Sequence, residues 1–168
     1  MKTDLGIIAG IREAMLAEQA GNQFYSAAAG RTTDPRGSEV FLMLAVEEAR
    51  HLDFLREQYR LLAAGRPPEP LISDTGAELG GPSPIFSDEL RSRIGEAHWE
   101  MTALSVGLQL EEASIARYRD LAARAASPEL RQFFERLVRW EEGHAAALER
   151  QSRLLRDDYW NAAGFAPF

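Results

Sequence analysis

Apolar residues recur at three- and four-residue spacing along four long stretches of the chain, and no stretch alternates between apolar and polar residues. A spacing of three and four residues places apolar residues on one face of an α-helix, whereas apolar and polar residues alternate along a half-buried strand. The pattern therefore predicts an all-α protein. The four helices are expected at about residues 5–29, 35–64, 88–126 and 128–158.

Boundary signals indicate how these helices connect. Asp34-Pro35 and Ser127-Pro128 each place a capping residue before a proline, which is favoured at the first helical position. The stretch from Gly65 to Phe86 holds five of the eight prolines, which predicts an extended connection with little regular structure. Two helical hairpins joined by one long crossover between the second and third helices form a ferritin-like antiparallel four-helix bundle.

We expect this bundle to be one domain that spans residues 1–158. A chain of 168 residues is long enough to bury one core and too short to suggest two. The aromatic tail at 159–168 is expected to pack against the bundle or against a second subunit. A homodimer is the expected assembly.

The two hairpins are related by an internal repeat. Shifting the sequence by 93 residues superimposes one hairpin on the other without a gap. The chain is therefore interpreted as a duplicated hairpin. The coinciding pairs are Glu18 and Glu111, Tyr25 and Tyr118, Pro35 and Pro128, Phe41 and Phe134, Glu48 and Glu141, and His51 and His144.

Six of the repeated residues have side chains that bind metal ions. In each hairpin a glutamate on the second helix precedes a histidine by three positions, so both lie on one face, about 4.5 Å apart along the axis. Each of the four glutamates has apolar neighbours on its own face, which predicts that all four carboxylates are buried. The predicted ligands are Glu18, Glu48, His51, Glu111, Glu141 and His144.

Four buried carboxylates require compensating charge. A buried unpaired carboxylate costs several kcal/mol, and mutual repulsion adds to that cost. No lysine or arginine shares these helix faces, so metal ions are the expected compensation. Four carboxylates and two imidazoles suit two iron or manganese ions, which at about 3.5–4 Å from each other keep positions open for a small oxygen species. The alternative interpretation is a helical bundle with surface glutamates and two core histidines.

The composition excludes several kinds of metal site and several kinds of partner. The chain has no cysteine, which excludes disulfides, zinc ribbons, iron–sulfur clusters and a rubredoxin-type iron site. The net charge of -7 argues against nucleic acid as a partner and is compatible with attracting cations. The first residues lack the basic start of a signal peptide, and no run of about 18 apolar residues occurs. We therefore expect a cytoplasmic protein that does not insert into a membrane.

Four stretches, one on each predicted helix, carry the candidate ligands: Glu18–Tyr25, Glu47–His51, Glu111–Tyr118 and Glu141–His144. Together they resemble the diiron domain of the rubrerythrin family, within the ferritin-like superfamily. The resemblance covers all four helices. It implies two iron ions per chain, with manganese as the alternative, and either peroxide reduction or ferroxidase activity.

Two features depart from the rubrerythrin pattern. The chain lacks the cysteine-bound rubredoxin module that supplies electrons, so an external electron donor is expected. Ser114 stands one turn after Glu111, where rubrerythrins usually carry an extra glutamate ligand. Without that carboxylate the predicted site is more symmetric and closer to the sites of oxygen-using ferroxidases.

Other residues near the predicted ligands receive simpler interpretations. Tyr25 and Tyr118 lie two turns after Glu18 and Glu111, where they either hydrogen-bond to ligand carboxylates or pack in the core. His98 has no counterpart in the repeat and is expected to be a packing or surface residue. The three tryptophans are expected to be structural. The glutamates expected to be solvated, one position off the inward faces, are Glu47, Glu112 and Glu142.

Three functions remain open from the sequence. The favoured one is an oxidoreductase that acts on hydrogen peroxide or dioxygen, and the likeness to rubrerythrins places peroxide first. The second is a ferroxidase that stores iron. The third is a structural or interaction bundle in which metal ions stabilise the fold.

Overall fold

The computed structural model of the protein describes residues 5–69 and 85–164, and the regular elements in these ranges are all helical. The prediction of an all-α protein is confirmed. Among the described residues, no helix is long and apolar enough to cross a membrane. The helices are α1 (Leu5–Arg31), α2 (Pro35–Ala63), α3 (Asp88–Ser92), α4 (His98–Arg124) and α5 (Pro128–Ala162), with a 3-10 turn at Ile94–Glu96.

The four long helices pack as two hairpins. Helix α1 packs along α2, and α4 packs along α5. The hairpins meet mainly where α1 contacts α4, and the backbones of α2 and α5 lie farther apart. Longer side chains from α2 and α5 therefore fill the space between these two helices.

Buried positions in the long helices are spaced alternately by four and three residues. This spacing keeps one stripe of each helix against its neighbours. Glu18 occupies such a position in α1, between the buried residues Ala14 and Tyr25. Glu141 occupies the same kind of position in α5, between Leu137 and Leu148. The helical pattern that builds the core thus also turns the predicted ligands inward.

The apolar core is divided into two clusters, and in each long helix the predicted ligands lie between them. One cluster is centred on residues such as Ile11, Leu55 and Phe134. The other contains Phe41 and Leu104, among others. The polar residues at the middle of the molecule are consequently enclosed by apolar packing on both sides.

Both predicted helix caps are present. The Asp34 side chain accepts a hydrogen bond from the Gly37 amide, and the Ser127 side chain accepts one from the Leu130 amide. Asp34 also accepts hydrogen bonds from the backbone amide and the hydroxyl of Ser87, which precedes α3. Asp34 therefore ties the start of α2 to the end of the crossover.

The predicted third helix, from residue 88 to about residue 126, is interrupted, so that prediction is wrong. Arg93 leaves helical geometry with φ −110° and ψ 36°, and the 3-10 turn separates α3 from α4. Leu90 and Ile94 are buried on the two sides of this break. The irregular segment thus places both apolar side chains in the core, which the spacing of apolar residues alone did not reveal.

The fourth helix does not end at Asp158 as predicted but continues to Ala162. Arg91 in α3 donates two hydrogen bonds to Asp158, at 2.6 and 3.2 Å. Tyr159 is partly buried and packs edge-on against His98, with 6.4 Å between ring centroids. The first part of the predicted tail therefore belongs to α5, whereas residues 165–168 lie outside the described ranges.

Two equivalent glutamines hold the described ends of the crossover. Gln58 donates a hydrogen bond to the Glu69 carbonyl at 2.6 Å, and Gln151 accepts one from the Ile85 amide at 2.8 Å. Gln58 and Gln151 are 93 residues apart, so the repeat supplies both anchors. The middle of the predicted extended connection, residues 70–84, lies outside the described residues.

Replacing Asp34 by alanine should lower the free energy of unfolding by about 2 kcal/mol. About 1 kcal/mol comes from the lost cap of α2, and about 1 kcal/mol from the lost hydrogen bonds to Ser87. Chemical denaturation followed by circular dichroism measures this loss. Ser127→Ala is the matched control and should lose only the cap contribution, because Ser127 occupies the equivalent position in the repeat. Equal losses in the two variants would contradict a tie between α2 and the crossover.

Candidate metal centre

The structure brings all six predicted ligands together in the middle of the four long helices, and each of them is buried. Their ligand atoms form two groups, within each of which all ligand atoms lie within 4.8 Å of one another. The His51 group contains Glu18, Glu48, His51 and Glu141. The His144 group contains Glu48, Glu111, Glu141 and His144. Glu48 and Glu141 are shared, as bridging ligands of a two-ion site are.

Both histidines turn Nδ1 toward the carboxylates. His51 Nδ1 lies 2.9 Å from Glu141 Oε1 and 3.3 Å from Glu18 Oε2. His144 Nδ1 lies 3.3 Å from Glu141 Oε2 and 3.6 Å from Glu111 Oε2. The two imidazole rings are nearly parallel, with centroids 5.7 Å apart. Glu141 thus presents one oxygen to each histidine.

Many of these ligand atoms are buried without a hydrogen-bond partner in the described part of the chain. They include Glu18 Oε2, Glu48 Oε1, both carboxylate oxygens of Glu141 and Nδ1 of both histidines. The short contact of His51 Nδ1 with Glu141 Oε1 does not have the angle of a hydrogen bond. Buried polar atoms in native proteins nearly always have partners. Two divalent cations would satisfy all of these oxygen and nitrogen atoms, so the residues fit a two-metal site.

Two tyrosines link the hairpins across the site. Tyr25 donates a hydrogen bond to Glu111 Oε1, and Tyr118 donates one to Glu18 Oε1. Each tyrosine therefore holds the glutamate of the other hairpin. Hydrogen bonding to ligand carboxylates was one of two roles that the sequence left open for these residues. The contact orients one oxygen of each carboxylate and leaves the other oxygen directed at the ligand groups.

Burial shifts the protonation of two of the glutamates toward the neutral form. Burial and the charge of Glu141 raise the pKa of Glu48 well above its ordinary value. Burial likewise raises the pKa of Glu111 to about 7, although the contact with His144 acts in the opposite direction. Burial and the nearby Glu111 raise the pKa of Tyr25 well above its ordinary value, so this tyrosine stays a hydrogen-bond donor.

The histidines are shifted toward the charged form. Burial acts to lower the pKa of His51, but the charges and contacts of Glu141 and Glu18 together outweigh it and raise this pKa well above the ordinary value. Burial also opposes protonation of His144, and contacts with Glu111 and Glu141 raise its pKa to about 9. The pKa of Glu141 is lowered, because the two histidines outweigh the effect of burial. Without metal, protons on these groups supply the positive charge that the site needs.

Gly21 also lies at the site, and no sequence prediction included it. A Cβ atom at this position would lie 2.6 Å from Glu48 Oε2, so glycine makes room for a shared carboxylate. Its equivalent in the other hairpin is Ser114, which is also buried. A glycine inside a helix costs about 1 kcal/mol relative to alanine. Its place on the inward face of α1 was the signal that could have identified it.

Trp140 also belongs to the site, beyond the structural role that the sequence suggested. Its ring is parallel to that of His51 within 5°, with 5.2 Å between centroids. Phe54 packs against the same tryptophan at 5.7 Å. This contact joins the two hairpins. The position of Trp140 along α5 therefore does not indicate its partner on α2.

The glutamates beside the inward faces differ in environment. Glu47 is buried and paired with Arg50, so the prediction that it is solvated is wrong. The arginine one turn later supplies the charge that permits this burial. Glu112 and Glu142 are exposed, as expected. His98 is exposed and belongs to neither ligand group, which agrees with the expected packing or surface role.

Comparison with known proteins yields a likeness in fold. No protein-family model matches the chain, and no curated protein matches it. Among solved structures, the chain is similar to the hypothetical protein Pfu-1136390-001 from Pyrococcus furiosus, with a TM-score of 0.66 and 22% sequence identity. The similarity covers 94% of each chain. At this identity the likeness concerns the fold alone.

Gly21→Ala should weaken binding of both metal ions at least tenfold, because it displaces the carboxylate of Glu48, which both groups share. Anaerobic calorimetric titration with Fe²⁺ measures the affinity. Gly143→Ala is the control: Gly143 precedes His144 on α5, and nothing lies within 4 Å of an added Cβ. The control should keep metal binding. If Gly21→Ala bound two ions with unchanged affinity, Glu48 would not be a shared ligand of both ions.

Raising the pH from 6.5 to 9 should lower the melting temperature of the metal-free protein. The pKa of His144 rises from 6.5 to about 9 on folding, and that of Glu111 from 4.5 to about 7. The folded state therefore binds these protons more tightly, and their stabilisation, complete below each unfolded-state pKa, disappears as the pH passes 7 and then 9. Scanning calorimetry measures the trend.

Metal-saturated protein is the control for this pH series, since bound cations replace the protons. The difference in melting temperature between metal-saturated and metal-free protein should grow with pH over the same range. A melting temperature of the metal-free protein that rises between pH 6.5 and 9 would contradict the assignment.

Proposed function

We propose that this protein is a diiron-carboxylate oxidoreductase that reduces hydrogen peroxide with electrons from an external donor. One observation carries the proposal: six buried ligand residues form two groups that share Glu48 and Glu141. Unsatisfied ligand atoms face each other within these groups. A hydrogen-bonded polar core would leave no such set of atoms.

The arrangement of the helices supports a ferritin-like four-helix bundle. Two helical hairpins lie against each other, and every long helix contributes a ligand. In diiron carboxylate bundles, two helices each supply a glutamate and the other two each supply a Glu-x-x-His pair. Here α1 and α4 supply Glu18 and Glu111, and α2 and α5 supply the Glu-x-x-His pairs. The resemblance of these stretches to the rubrerythrin diiron domain favours iron and peroxide.

The chemistry needs two electrons and two protons for each peroxide. The six ligand residues would hold two ferrous ions, and such a pair would supply the two electrons that reduce hydrogen peroxide to two molecules of water when two protons are added. The side chains hold this centre in place: Glu48 and Glu141 are shared by both groups, and each histidine directs Nδ1 inward. Tyr25 and Tyr118 keep their protons and fix the orientation of the carboxylates. The apolar clusters on both sides exclude bulk water from the centre.

Iron oxidation with storage is the second candidate function, and Ser114 is the observation that favours it. Ser114 is buried one turn after Glu111, where rubrerythrins usually carry a further carboxylate. The two ligand groups are therefore equal in composition, each with three glutamates and one histidine. Two metal positions with equal ligands resemble the sites of oxygen-using ferroxidases more closely than those of rubrerythrins.

Stopped-flow oxidation of the anaerobic diferrous protein should be faster with hydrogen peroxide than with an equal concentration of dioxygen. The absorbance of the diferric product follows the reaction. The double variant Glu48→Gln and Glu141→Gln is the control, and it should bind neither ion, because both shared carboxylates lose their charge.

Other outcomes separate the remaining functions. Faster oxidation by dioxygen, with a ferric mineral that grows on repeated addition of iron, would replace the peroxidase proposal by iron storage. Two bound ions that react with neither oxidant would indicate a structural metal centre.

A further inference from the structure

The aromatic contacts around the centre give the two ligand groups different surroundings. Trp140 on α5 stacks on His51 with 5.2 Å between centroids and 5° between the planes. Phe54, one turn after His51 on α2, packs against Trp140 at 5.7 Å. His51 is 1% exposed, and both other rings are half-buried. The His51 ring is thus covered by Trp140 of the other hairpin, and Phe54 packs against that tryptophan.

No described residue gives His51 the hydrogen bond that normally fixes a metal-ligating histidine. Such a histidine usually donates its second ring N–H to a carboxylate, a backbone carbonyl or a water molecule. Nε2 of His51 is buried, and no described residue hydrogen-bonds to it. The ring of His51 contacts the rings of Trp140 at 5.2 Å and of His144 at 5.7 Å. The parallel stacking on Trp140 restricts rotation of the His51 ring, so that Nδ1 stays directed at Glu18 and Glu141.

The repeat does not reproduce this contact for the other histidine. The position equivalent to Trp140 is Glu47, and the position equivalent to Phe54 is Ala147. Glu47 is a buried carboxylate paired with Arg50. The ligands are duplicated, but the residues that would surround the two histidines are aromatic in one case and charged or small in the other.

We propose that Trp140 is a positioning residue whose stacking sets the orientation of His51, and with it the metal affinity of the His51 group. The His144 group does not depend on this contact, so the two metal positions differ in affinity although their ligands are equal in type. The inference rests on the metal pair of the proposed function and is independent of the oxidant.

Titration with Co²⁺, followed by its visible absorbance, tests this role in two single-site backgrounds. His144→Ala retains the His51 group, and His51→Ala retains the His144 group. In the His144→Ala background, Trp140→Met should weaken Co²⁺ binding about tenfold, the loss typical of removing a contact that orients a ligand. In the His51→Ala background the same replacement should change the affinity less than twofold, because the imidazole that it orients is absent.

Conservative and remote replacements separate positioning from general loss of packing. Trp140→Phe keeps a ring for stacking and should restore most of the affinity in the His144→Ala background. Trp99→Met is the matched control: Trp99 lies against Arg31, 4.2 Å from the guanidinium carbon, and packs on the apolar cluster that contains Phe41. It should leave Co²⁺ affinity unchanged. Trp140→Leu repeats the test with a second apolar side chain, and circular dichroism verifies that each variant is folded.

A second readout needs no metal. Nuclear magnetic resonance of ¹⁵N-labelled histidine rings in the metal-free His144→Ala protein should show a ring-current shift for His51. This shift should disappear in Trp140→Met and persist in Trp140→Phe.

Equal weakening of Co²⁺ binding in both backgrounds, or none in the His144→Ala background, would overturn the positioning role and leave the proposed function intact. Absence of Co²⁺ binding by the wild-type protein would overturn the proposed function together with this inference.

Discussion

Glu141 lies fully buried between two histidines, and its charge has to be balanced where it stands. Three further carboxylates share this enclosed space, and burial of one unpaired carboxylate alone costs several kcal/mol. In the metal-free protein, charged histidines and protonated glutamates provide the balance, as the raised pKa values of His144 and Glu111 indicate. Bound cations would provide it more directly, because they satisfy atoms for which the protein supplies no hydrogen bonds. The backbones of α2 and α5 lie farther apart than those of α1 and α4, which leaves room for this charged centre.

The sequence predicted which six residues lie together at the centre of the molecule, and the reason is physical. Burial in α1, α2, α4 and α5 follows the spacing of four and three residues, and the six candidate ligands occupy positions of that spacing. The repeat removed the ambiguity of a single Glu-x-x-His, because an accidental motif would not recur in register. The structure brings the six residues together, while the identity of the metal and the chemistry stay predictions.

Residues that the sequence did not reveal depend on contacts between elements. Gly21 matters because α1 approaches the carboxylate of Glu48, and Trp140 matters because its ring reaches α2 from α5. Neither distance is encoded in the spacing along one helix. Glu47 was misassigned because its burial depends on Arg50, and the break at Arg93 depends on which apolar side chains the core accepts. The spacing of apolar residues predicts which face of a helix is buried. It does not predict which residues on other elements that face contacts.

The crossed tyrosine bonds bear on how such a protein could have arisen. Tyr25 holds the glutamate of the second hairpin, and Tyr118 holds that of the first, so neither hairpin contains its own support. Two identical copies of one hairpin, related by a two-fold axis, would contain the same six ligands and both tyrosine bonds. A symmetric dimer of half-length chains would therefore contain the complete set of residues, and joining the two chains would preserve the set. Within one chain the two hairpins can differ, as Trp140 and its equivalent Glu47 do, whereas two identical chains could not carry this difference.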